Sequence, residues 1–145
     1  MPPLRTLCRF SLAGLALLLA GCGESGPQVF PVTGKVTLRN GTPLRGGMIL
    51  LESSGKPSLN GIGIVGDDGS YAIRTKTTPL LEEEGAVAGR HLVSFCPAIR
   101  NGGLKKYEDV IHERYLDFDS SGMTIEVTND PAKNTFDFVL DPPGR

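Results

Sequence analysis

Short apolar runs constrain this chain more than any other feature of its sequence. They start at Val29, end at Leu140 and are separated by turn residues at a spacing of about ten. Segments this short do not supply a full helix face, whereas several strands joined by tight turns can share one core. The sequence therefore predicts an all-β fold, a seven-stranded antiparallel β-sandwich, and argues against alternating strands and helices.

The predicted strands are bounded by residues that favour turns. Asn40-Gly41 and Asp67-Asp68-Gly69 each offer the backbone freedom that a tight turn needs. In the first strand, Val32, Val36 and Leu38 alternate with polar residues and so define one apolar face. Seven strands are expected, over residues 32–38, 47–52, 61–65, 70–74, 90–96, 123–127 and 134–140.

Two connections lack this pattern. The adjacent carboxylates of residues 82–84 repel one another, which predicts a solvated loop. Residues 97–121 form a long, polar connection, in which residues 104–111 have the pattern of one or two helical turns.

The first 21 residues have the organisation of an export signal. Arg5 and Arg9 precede an apolar stretch, residues 10–20. This stretch matches a secretory signal in length and is too short to cross a hydrocarbon core of ~30 Å as a helix. An ordinary signal peptide with a chance cysteine, or an uncleaved anchor, is the alternative to the more specific interpretation that follows.

The end of this stretch, Leu19-Ala20-Gly21-Cys22, resembles the lipobox of bacterial lipoproteins. The resemblance implies cleavage before Cys22, whose sulfur carries a diacylglyceryl group, and hence a membrane as partner. Such an anchor holds firmly because each buried methylene contributes ~0.8 kcal/mol. Gly23, where an aspartate would resemble an inner-membrane retention signal, favours the outer membrane.

Length and charge limit the remaining possibilities. The 145 residues divide into a signal peptide, a lipidated cysteine with its tether, one β-sandwich domain and a short tail, at residues 1–21, 22–28, 29–141 and 142–145. Without Arg5 and Arg9 the 15 basic residues become 13 against 16 acidic ones, a net charge of -3. This balance argues against nucleic acid as a partner.

Cysteine usage agrees with an anchor and excludes a disulfide framework. Cys8 leaves with the signal and Cys22 is lipidated, so Cys96 is the one cysteine left in the domain. A lone cysteine in an apolar strand is typical of a small buried hydrophobe, with a reactive thiol as the alternative.

Four segments together resemble a known family: "PVTGKVTLRNGTPLRGGMILL", "GDDGSYAI", "EGAVAGRHLVSF" and "ERYLDFDSSGMTIEVTNDPAKNTFDFVL". They are similar to small lipoproteins of planctomycete-type bacteria, which carry a carboxypeptidase regulatory-like domain with a transthyretin-like (prealbumin-like) sandwich. The resemblance implies a seven-stranded sandwich, secretion, lipid anchoring and no established catalytic activity.

Candidate chemistry is sparse. Asp67-Asp68-Gly69 lacks the further oxygen ligands of a calcium loop and is predicted to be a simple turn, so no metal or other cofactor is expected. His91 falls on the apolar face of its strand, which predicts a core histidine, and His112 is expected to be solvated. Hydroxyisourate hydrolases share the transthyretin-like fold, but the C-terminal Tyr-Arg-Gly-Ser of that class is missing.

One weak binding patch stands out in the long connection. It combines basic and aromatic residues that suit an anionic or sugar partner, although a solvated loop face explains the same residues: Lys105, Lys106, Tyr107, Arg114 and Tyr115. We therefore expect a non-enzymatic binding or structural module whose partner is an envelope protein or a glycan. A transthyretin-like hydrolase using His91 beside Arg90 and a carbohydrate-binding module are the alternatives, the latter weakened by the absence of tryptophan.

Overall fold

A computed structural model describes residues 26–56, 58–98 and 110–143, and strands dominate in these ranges. The ten strands are β1 (Val29–Phe30), β2 (Thr33–Leu38), β3 (Gly47–Ser53), β4 (Asn60–Ile64), β5 (Ser70–Thr78), β6 (Leu81–Glu84), β7 (Ala86–Val87), β8 (Gly89–Pro97), β9 (Thr124–Val127) and β10 (Phe138–Leu140). Helical structure in these ranges consists of α1 (Phe118–Ser121) and two 3₁₀ turns, Glu113–Leu116 and Pro131–Lys133. The predicted export signal, its cleavage site at Leu19-Ala20-Gly21 and the lipidation site Cys22 lie outside the described residues.

Eight strands form one sheet in the order β10-β2-β5-β4-β3-β8-β9, with β6 paired to β5 beside β2. The two short strands β1 and β7 pair with each other. The backbone of Ile73 shows that β5 pairs with two successive segments along one edge. Its N–H donates to the Val32 carbonyl and its carbonyl accepts from the Gly85 N–H, so β2 and the β6–β7 segment follow each other along that edge.

The sheet curls until its distant strands face each other. Phe138 on β10 and Phe95 on β8 belong to strands separated by four others in the order, yet their rings meet edge to face at 5.4 Å between centroids. Tyr71 on β5 packs against the same Phe138 ring at 6.3 Å. A single core therefore lies inside the curl, formed by alternate residues of the long strands.

The all-β prediction is confirmed, and a strand overlaps each of the seven predicted segments, although the described ranges contain ten strands. The prediction of a wholly antiparallel arrangement is wrong at one place, because β10 pairs with β2 in parallel, Phe138 beside Val36. The last strand is also shorter than expected. The Lys35 N–H donates to the Asp137 side chain at 2.8 Å instead of to a backbone carbonyl, which interrupts the ladder before Phe138.

The predicted acidic loop is strand β6. Its three carboxylates stay at the surface, and two of them lie opposite cations of β5, Glu84 beside Arg74 and Glu82 beside Lys76. Opposite charges across an antiparallel pair favour strand pairing, and this offsets the repulsion among neighbouring glutamates.

The sheet has two ends that matter for function. We call the end with the β5–β6 turn, between Thr78 and Leu81, the hairpin end. The far end lies where β5 begins at Ser70, and β2, β8 and β10 finish there at Leu38, Pro97 and Leu140.

Gly34 allows the segment before β10 to approach β2 closely. A β-carbon at residue 34 would overlap the carbonyl of Phe136, whose oxygen accepts a hydrogen bond from the Tyr71 hydroxyl at 2.7 Å. Burial of this hydroxyl, and to a smaller extent the nearby charge of Asp137, raises the pKa of Tyr71 above its ordinary value. The hydroxyl therefore keeps its proton and stays a donor to Phe136.

We expect Gly34→Ala to lower the free energy of unfolding by about 2–4 kcal/mol, because the added methyl group overpacks a backbone contact. Gly26→Ala is the matched control, since a β-carbon there meets nothing within 4 Å. Urea unfolding of both variants measures the difference. Equal stability of the two variants would contradict the close approach.

Candidate functional site

Arg114 and Tyr115, two residues of the predicted patch, lie at the far end in the first 3₁₀ turn. Two contacts of His112 fix this turn. Its Nδ1 accepts from the Arg114 N–H at 3.2 Å, and its own backbone N–H donates to the carbonyl of Asp141 at 3.1 Å. The turn is thereby attached to the chain just after β10.

The Asp141 carboxylate gathers three donors at this point. It accepts hydrogen bonds from the guanidinium groups of Arg39 and Arg114, and from the Tyr115 hydroxyl at 2.9 Å. The hydrogen bond from Arg39 and then that from Tyr115 lower the pKa of Asp141, and the partnership with Asp141 raises the pKa of Arg39. The Arg114 guanidinium also lies over the Tyr115 ring, 4.6 Å from its centroid.

This arrangement joins two cations to one anion. Both guanidinium groups are exposed, with 69% and 47% of the Arg39 and Arg114 side chains accessible, and one positive charge is left over. An exposed, uncompensated guanidinium group suits a carboxylate or phosphate on a partner. Some N–H groups of both arginines already donate to Asp141. Chemically the cluster can tie chain segments together and present positive charge.

The structure corrects the expectation for Tyr115. It is buried, not part of a solvated loop face, because its ring packs edge to face against Phe95 at 6.4 Å between centroids and closes the core. The ring is therefore not available for stacking on a sugar. Lys105, Lys106 and Tyr107 lie outside the described residues.

Sequence reasoning missed Arg39 and Asp141. They are 102 positions apart, and each follows the end of a strand without any local motif. The parallel pairing of β2 with β10 brings them together, so no spacing in the sequence could have shown it.

His91 lies in the core, as predicted. On β8 it stands between Ser53 of β3 and Ile125 of β9. Its Nδ1 is 3.0 Å from the Gly89 carbonyl, to which it must donate, and Nε2 has no hydrogen-bond partner among the described residues. Burial is the main reason that the pKa of His91 is lowered from its ordinary value.

This placement separates the two residues that the hydrolase alternative requires. Arg90, next to His91 on the strand, is exposed on the opposite face. Cys96 also belongs to that outer face, half-buried opposite Met48, and so is not the buried core residue expected. Strand alternation explains both positions, because residues 91, 93 and 95 face the core.

The predicted turn at Asp67-Asp68-Gly69 is confirmed. The Asp68 carboxylate accepts from the N–H and the hydroxyl of Ser70, at 3.0 and 2.6 Å, which lowers its pKa. Gly69 has a φ of 80°, which favours glycine. Within the described ranges, no three His, Cys, Asp or Glu side chains are placed to hold a metal ion.

Comparison with known proteins gave no match to a family model, a curated protein or a solved structure. In the part of the chain that the structure describes, no helix has the length and apolar character needed to span a bilayer.

Stability should fall as the pH drops below the ordinary histidine pKa of about 6.5, because the unfolded imidazole then binds a proton that buried His91 resists. The pKa of His91 is lower in the folded protein than in the unfolded chain. Its contribution to stability is therefore fully present above the unfolded pKa and is lost as the pH falls from there toward the folded pKa. We expect His91→Leu to flatten this dependence in urea unfolding at several pH values. Ile125→Val, which alters the neighbouring core without a titrating group, should keep the wild-type slope, and an unchanged slope in His91→Leu would be evidence against the assignment.

Tyr115→Phe should lower the free energy of unfolding by about 1 kcal/mol, because a buried hydroxyl that bonds Asp141 is lost. Asp141→Ala should also destabilise, since it leaves Tyr115 and both arginines without their shared acceptor. Arg39→Ala, which removes only an exposed pair, is the control and should have the smallest effect in thermal unfolding. A larger loss of stability in Arg39→Ala than in Tyr115→Phe would contradict this ranking of the two contacts.

Proposed function

We propose that this protein is a lipid-anchored lipoprotein of the bacterial cell envelope, with a β domain that serves as a non-enzymatic binding or structural module. The observation that carries the proposal is the sequence Leu19-Ala20-Gly21-Cys22 after an apolar stretch preceded by arginines. The start of the described chain supports it, because Gly26 and Gln28 are exposed and precede the first strand. A short tether can therefore leave the domain without disturbing its core. Gly23 favours the outer membrane as the destination.

We further propose that the domain is a two-layer sandwich of the carboxypeptidase regulatory-like, transthyretin-like kind. The strand order supports this if the curl is divided at β5, into β10-β2-β5 and β4-β3-β8-β9. The contact between Phe95 and Phe138 then joins the two layers. The parallel pairing of β2 with β10 is a departure from the purely antiparallel pattern.

A binding or structural role is supported by how the polar groups are used. His91 faces the core while Arg90 faces solvent, so the two do not converge on a substrate. The described tyrosines, Tyr71 and Tyr115, are both buried and offer no platform for a sugar ring. The far end is the better candidate surface for an envelope partner, because the exposed arginines are there.

The described residues on either side of the long connection also lie at that end. It leaves the described structure after Ala98, just beyond β8, and returns at Val110, near the 3₁₀ turn that contacts Asp141. Lys105, Lys106 and Tyr107 belong to the intervening sequence. We therefore propose the far end as the binding surface for the partner, an envelope protein or a glycan.

Cys22→Ala tests the anchor. Expressed from the full-length sequence in a bacterial host, wild type should incorporate labelled fatty acid and sediment with membranes, whereas the variant should lose the label and be released. Cys96→Ala is the matched control, because it removes a cysteine from the domain and should keep both label and membrane association. Labelling that persists in Cys22→Ala would show that the anchor lies elsewhere.

A further inference from the structure

The β5–β6 turn presents apolar side chains to solvent. Leu80 at its tip is 98% exposed, and the adjacent Leu81 is 50% exposed. Tight turns are normally made of glycine, asparagine, aspartate and proline, and of these only Pro79 occurs here. Leu80 gains almost nothing from folding and Leu81 stays half-exposed, so both leucines are available for a contact outside the domain.

The chain enters the domain against this same hairpin. Gly26, Pro27, Gln28 and Val29 line a surface groove together with residues of the hairpin, namely Thr77, Thr78, Leu81 and Glu83. Cys22 precedes Gly26 by four residues, a span of at most ~14 Å for a fully extended chain. A lipid on Cys22 would therefore hold the hairpin end close to the bilayer.

Most of the charge on the paired strands β5 and β6 is compensated. Glu82 and Glu84 lie opposite Lys76 and Arg74, Glu83 lies opposite Thr75, and Arg74 Nε is 3.6 Å from a Glu82 carboxylate oxygen. Since one negative charge is left over, the leucines are the feature that an uncharged bilayer would recognise. An apolar loop beside an acyl anchor would supply a second contact with the same bilayer.

We propose that Pro79, Leu80 and Leu81 form a membrane-docking tip that inserts into the interface of the bilayer holding the lipid on Cys22. This inference rests on the proposed lipid anchor and adds an orientation to it. β5 runs for nine residues, roughly 26 Å, from the far end to the tip. The Arg39, Asp141 and Arg114 cluster consequently faces away from the membrane, toward envelope partners.

The chain contains no tryptophan, so the fluorescence of a single introduced tryptophan reports on the environment of that position alone. The full-length Leu80→Trp protein, purified from bacterial membranes with its lipid, is reconstituted into vesicles of phosphatidylcholine with and without brominated acyl chains. Its emission should shift to the blue and be quenched by bromine. Val139→Trp is the matched control, because Val139 is 52% exposed on β10 toward the far end and should keep a water-like, unquenched emission.

The intact mass of the same preparation distinguishes failure of the docking tip from failure of the lipid anchor. If Cys22 carries lipid but bromine quenches the Leu80→Trp protein no more than the Val139→Trp protein, the docking tip is wrong and the anchor stands. A blue shift without quenching by bromine would mean that the tip packs against protein, such as a second copy, and would also overturn the bilayer as occupant. An unmodified Cys22 would overturn the proposed anchor itself, and with it this inference.

Discussion

The packing of Phe138 against Phe95 is the contact on which the rest of the architecture depends. These rings come from strands far apart in the sheet, and their edge-to-face contact is possible only because the sheet curls. Phe95 also packs against Tyr115, whose hydroxyl bonds Asp141. The core and the charged cluster at the far end are thus continuous, and a loosened core would disperse the cluster.

Local signals in the sequence were sufficient for most of the strands. Alternation identified β2 and β8 and placed His91 inside, and turn residues identified the boundaries at Gly41 and Gly69. The same alternation, applied to the whole of β8, would have placed Cys96 outside. Strand β6 was missed because a run of glutamates carries no apolar signal, and its pairing with β5 depends on cations supplied by another segment.

The candidate site was less accessible to sequence reasoning than the fold. Arg114 and Tyr115 were recognised as a basic and an aromatic residue in a polar connection, but their partner Asp141 was not. Parallel pairing of the first long strand with the last brings these groups together, and neither strand encodes the other's register. Burial of Tyr115 likewise depends on Phe95, a residue of a distant strand.

The pairing of β2 with β10 has a consequence for how the domain is made. Val36 meets Phe138 across more than a hundred positions, so β2 is synthesised with one edge open and acquires its neighbour only after β10 has been made. Loop closure over such a separation is slow compared with the formation of hairpins such as β3–β4. A nascent chain that still lacks β10 cannot yet pack Phe138 against Phe95, so the curl of the sheet closes only after β10 has been made.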